Sequence, residues 1–189
     1  MRAYNEDTTN LSVLEDLVFA YIKIGDPERV SFYAAKEIEI LKNSYGEDQE
    51  DLSVLEKLVF AYAKVGDLKN ADMFANKIIN NMPGKEDRVR QIAYRWNNQE
   101  LPVESSIIFK ALTNSDPTNA KDALAYAISV CQADGAVTAT RLFDELLDTD
   151  EAGAVAAWDS LVVPSRLYKY DAVATCWREV VARFKNLPS

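Results

Sequence analysis

A sixteen-residue stretch occurs twice in this chain, and that repetition constrains the fold more than any other feature. Residues 11–26 read LSVLEDLVFAYIKIGD and residues 52–67 read LSVLEKLVFAYAKVGD, differing only at Asp16/Lys57, Ile22/Ala63 and Ile24/Val65. Self-similarity at a fixed interval is the signature of a repeat architecture, in which each unit buries its apolar face on the next. Within each copy the apolar residues fall at helical spacing: Leu14, Leu17, Val18 and Tyr21 in the first, with their equivalents in the second. Gly25 and Gly66 are placed to end these helices in a left-handed turn, and Asp26 and Asp67 to cap the helices that follow. Each copy is therefore predicted to be the first helix of a helical hairpin.

The rest of the chain keeps this punctuation while losing the exact repetition. A second helix opens at Pro27 and runs to about Tyr45, where Gly46 is expected to stop it. The second hairpin pairs Leu52–Val65 with Leu68–Met82. Pro83 and Pro117 stand 34 residues apart and bracket a third hairpin, with Val89, Ile92, Ala93 and Trp96 on its first helix and Ile108, Phe109 and Leu112 on its second. A fourth hairpin breaks at Asp134-Gly135. The predicted organisation is a polar leader over 1–9, repeats over 10–150 (about 10–46, 47–83, 84–117 and 118–150), and a divergent terminal hairpin with a capping helix over 151–189.

These hairpins resemble the tetratricopeptide repeat family, in which large and small apolar residues alternate at set places along two antiparallel helices. The second unit carries the pattern as Leu55, Leu58, Tyr62, Gly66, Ala71 and Pro83, and the third as Val89, Ile92, Ala93, Trp96, Phe109, Leu112 and Pro117. The first shows Leu14, Leu17, Tyr21 and Gly25, and the fourth Leu124, Gly135 and Leu147. Val18 and Val59 stand where the family has Gly or Ala, and the interval from Gly25 to Gly66 is 41 residues rather than 34. The resemblance implies an all-α fold, an α-α superhelix of about four to five helical hairpins.

Catalysis finds little support in the residues. The chain has no histidine, hence neither the usual general base nor the usual metal ligand, and no Gly-rich phosphate loop or zinc spacing occurs. The expectation is a non-enzymatic protein with no cofactor and no metal. Cys131 and Cys176 sit in apolar helical patterns and are expected to be unpaired and shielded, which leans towards a reducing, cytoplasmic setting. A periplasmic setting is the alternative if the chain is an excised fragment of a secreted protein. A formal charge of −9 argues against nucleic acid as a partner, and no apolar run is long enough for membrane insertion.

The resemblance implies a scaffold that holds a protein or peptide, within a larger complex, on the concave face lined by the first helices. Side chains one step off the core stripe are the candidates there: Phe19, Phe60 and Tyr94 as an aromatic column, flanked by Glu15, Glu56, Lys23, Lys64, Arg90 and Asn97. The competing expectation is that the two phenylalanines pack against neighbouring second helices. Family members that clamp a carboxylate use Lys and Asn where this chain has Glu15 and Phe19, then Glu56 and Phe60, so a carboxylate clamp is not expected in the first two hairpins. Alternative functions are a periplasmic segment of a bacterial envelope or exopolysaccharide-export machine, and an acidic secretion chaperone.

Overall fold

A computed structural model describes residues 10–161 apart from 82, 83, 85 and 134. The predicted leader and the capping helix after residue 161 lie outside the described residues. Within them the chain is helical throughout, with α1 (Leu11–Ile24), α2 (Pro27–Glu47), α3 (Leu52–Lys64), α4 (Leu68–Asn81), α5 (Glu86–Asn98), α6 (Pro102–Ser115), α7 (Ala120–Gln132), α8 (Ala136–Thr149) and α9 (Glu151–Leu161). Two compact units divide the chain, Met1–Pro83 and Gly84–Ser189. The fold class is all-α, built from helices packed in neighbouring pairs.

In the first unit α1 packs on α2, α2 on α3, and α3 on α4. Asn10 and Asp51 cap α1 and α3 identically: each side-chain oxygen accepts from the backbone N–H groups two and three residues on. Gly25 and Gly66 have φ near +76° and +77°, where a Cβ would be strained, and let the chain reverse. The N–H of Asp26 then donates to Tyr21 O and that of Asp67 to Tyr62 O. Asp26 Oδ1 and Asp67 Oδ1 accept from Arg29 N and Asn70 N, each at 3.1 Å. One stacked aromatic pair closes each hairpin, Tyr21 on Tyr33 at 5.5 Å and Tyr62 on Phe74 at 5.6 Å. Repeated sequence thus produces repeated contacts.

The longer first interval is absorbed in α2, which has 21 residues where α4 and α6 have 14. The helix passes through Gly46 instead of stopping there and ends at Glu47, capped by Asp48, whose N–H donates to Ser44 O. The extension is held by α4: Tyr45 stands edge-on to Phe74 at 5.3 Å, and Asn81 Nδ2 donates to Gln49 O. Gly46 has nothing to reverse, because the following residues can complete the turn with Asp48 Oδ1 accepting from Glu50 N.

In the second unit α5 packs on α6, α6 on α7, and α8 and α9 both on α7. The turn between α5 and α6 has the geometry of the Gly66 turn, with Leu101 N donating to Trp96 O, but the left-handed residue is Glu100 at φ +61°. Leu124, Ile128, Phe143 and Leu146 form a core with Ala139, Ala154 and Ala157, and Cys131 is buried in it. Cys131 is disulfide-bonded, and no free cysteine exists among the described residues. This overturns the expectation of an unpaired thiol; helical periodicity places a cysteine on the core stripe but cannot say what it meets there. Cys176, the other cysteine, lies outside the described residues.

Candidate functional site

The first-helix face of the first unit is where the repeat brings chemistry together. Phe19 on α1 and Phe60 on α3 stack with ring centroids 5.3 Å apart. Their exposures differ: Phe60 is 8% accessible and Phe19 40%, so one ring serves the core and the other carries the stack to the surface. Lys64 Nζ lies 5.3 Å over the Phe60 ring. One turn back on α1, Glu15 Oε1 is 2.7 Å from Lys57 Nζ of α3, an ion pair between half-exposed side chains. Lys23 is exposed and Glu56 half-buried on the same two helices.

Behind the ion pair lies Glu37 of α2, 2% exposed. Its Oε1 has no hydrogen-bond partner, while Glu15 Oε1 is met by the Lys57 ammonium alone. Burial pushes the Glu37 carboxyl up to about 8; the neighbouring Glu15 adds to the rise, and Lys57 opposes it. Glu37 therefore holds its proton at neutral pH, the state in which a carboxyl tolerates a low-dielectric site. In the second hairpin the same register position is Ile78, fully buried. A titratable group occupies a place that the other copy gives to a core isoleucine.

In the second unit, Tyr94 of α5 stands edge-on to Phe109 of α6 at 5.1 Å, with its hydroxyl shifted upward by burial and then by Asp122. Arg90 points its guanidinium at Asp122 of α7, donating through Nε and Nη2 at 2.8 Å each, and through Nη1 to Asp87 at 2.7 Å. Hydrogen bonding to Asp122 raises its pKa further above the usual arginine range. Asp122 is 1% exposed, so this is a desolvated bidentate pair joining two first helices. Asn97 is half-buried near the end of α5. The pair lines a polar cleft of about 370 Å³ with Glu86, Ser115 and Asp116, while an apolar cleft of about 510 Å³ opens among Pro117, Ala123, Tyr126, Leu142 and Leu146.

Of the predicted positions, Phe19, Phe60, Glu15 and Lys64 gather on one face of the first unit, and Tyr94 and Arg90 belong to the second. Glu37, Lys57 and Asp122 were missed. Glu37 continues the stripe of Val30, Tyr33, Ala34 and Leu41 at helical spacing, and that register was the available signal. Asp122 sits in the first turn of its helix, where an acidic residue is ordinary.

Among the described residues no group of three His, Cys, Asp or Glu side chains is arranged to hold a metal, and no helix is long and apolar enough to cross a membrane. No protein-family model matches the chain, and no curated protein matches it. Two solved structures of MamA align over nearly the whole chain. One is the MamA RS-1 ArsTM double mutant, at 14% identity over 96% of this chain and 98% of that one, with a TM-score of 0.37. The other is MamA 41-end from Desulfovibrio magneticus RS-1, at 13% identity over 97% and 99%, also with a TM-score of 0.37.

Proposed function

We propose that this chain is a non-enzymatic interaction module whose first unit receives a peptide segment of a protein partner on the α1/α3 face. The observation that carries this reading is the Phe19–Phe60 stack, rooted in the core at Phe60 and open to solvent at Phe19. An aromatic ring held rigidly by a buried neighbour offers contact area at little entropic cost, and charged rims of that kind are typical of peptide-binding hot spots. Glu15, Lys57, Lys23 and Lys64 supply the rim.

Paired substitutions test it. Phe60→Ala removes a buried ring and should destabilise the unit by about 3–5 kcal/mol. Phe19→Ala should cost about 1 kcal/mol in stability, the worth of an exposed aromatic contact, yet weaken peptide binding by about 2 kcal/mol. Binding unchanged by Phe19→Ala would remove this face as the site.

The disulfide at Cys131 removes the ground for a reducing compartment and favours the periplasmic alternative, since such bonds persist in oxidising compartments. Fractionation of cells producing the native precursor, with thiol alkylation of each fraction, tests that placement.

A further inference from the structure

We propose that Glu15 and Glu37 form a guanidinium-binding site, which takes an arginine side chain of the partner peptide while an adjacent apolar residue of that peptide lies on Phe19. The inference rests on the α1/α3 face being the peptide site and names the chemistry recognised there. Two carboxyl groups meet one ammonium in this cluster, and the charged groups bearing on Glu37 are Glu15 from α1 and Lys57 from α3. Lys57 engages only Glu15, leaving Glu37 Oε1 without a partner. Once Glu37 gives up its proton the cluster carries one surplus negative charge, and its orphaned atom is an acceptor, so the complement is a cation rich in donors.

A guanidinium fits this better than an ammonium. Its planar fork carries five N–H donors, enough to serve Glu37 and Glu15 together, whereas an ammonium acts as a compact point charge. The arginine stem and plane also lie well across an aromatic face, and Phe19 stands one helical turn from Glu15 with 40% of its surface accessible. Access requires Lys57 to release Glu15. Its side chain is 40% exposed, and a pair at that exposure is weakly held. As the guanidinium arrives, Glu37 gives its proton to solvent and binds as the carboxylate, so binding releases a proton. The second hairpin lacks the device, with Ile78 at the corresponding position.

The test pans a random-peptide phage library against the full chain, then titrates selected synthetic peptides by calorimetry in phosphate and in Tris buffer at neutral pH. Peptides that lose binding in Phe19→Ala should be enriched in arginine and should release a proton on binding. Glu37→Gln should abolish that release and weaken binding about tenfold, the worth of one charged hydrogen bond. Glu15→Gln, at the exposed end of the cluster, should weaken it similarly and covers the case in which Glu37→Gln folds poorly. Phe19-dependent peptides without arginine, or arginine peptides indifferent to both variants, would overturn the proposal and leave the peptide-binding reading standing. A library yielding no Phe19-dependent peptide would sink both.

Discussion

Each unit ties two first helices together with an ion pair, and the two pairs are built on opposite terms. In the second unit Arg90 spends three of its donors on Asp122 and Asp87, and the buried carboxylate receives two of them. In the first unit Lys57 meets Glu15 in a half-exposed ion pair, and the buried Glu37 behind it has an oxygen with no partner. A desolvated charge is tolerated when its hydrogen bonds are satisfied; an orphaned one is costly and survives by holding its proton. The saturated cluster reads as structure. The unsaturated one reads as a place kept for something else.

The largest expected consequence is at Arg90. Arg90→Ala would strand Asp122 as an uncompensated buried charge and should destabilise the second unit by about 3–5 kcal/mol, whereas Lys57→Ala should cost under about 1 kcal/mol. Urea unfolding of the two variants reads the difference, and equal losses would break the contrast. Disulfide reduction comes next. It should destabilise the second unit by about 2–4 kcal/mol and leave the first, which holds no cysteine, unchanged. Hydrogen exchange with and without dithiothreitol separates the units, and thiol titration of the unfolded, unreduced chain should find no free cysteine. The smallest effect is at the turn between α5 and α6. Glu100→Gly gives that turn the glycine that Gly66 provides in the first unit and should stabilise it by about 0.5–1 kcal/mol, seen as a small rise in Tm.

Helix positions and turns could be read from sequence because they rest on local rules. Apolar spacing sets the buried stripe, and Gly25, Asp26, Gly66 and Asp67 act on the backbone beside them. The turn at Glu100 shows where that fails: the backbone geometry persists without the residue that signals it. The site was half legible. Phe19 and Phe60 are equivalent in the sequence repeat, yet one is a surface residue and the other core, because burial depends on which helices flank each copy. Pairings across the fold, such as Arg90 with Asp122 or Glu15 with Lys57, depend on the register between helices, which no local pattern contains.

The most direct test of the central contrast is the pH dependence of stability in wild type and Glu37→Gln. A carboxyl whose folded pKa is raised from 4.5 to about 8 contributes its full share of stability below 4.5. That share is lost as pH rises towards 8, because the unfolded chain releases the proton first. Wild-type stability should therefore fall from about pH 4.5 to about pH 8 and level off above, after the background shared by both proteins is subtracted. Glu37→Gln should lack that fall and be the more stable protein at pH 8. Parallel curves, with Glu37→Gln the less stable throughout, would mean that Glu37 is no unsatisfied buried acid and would contradict the account.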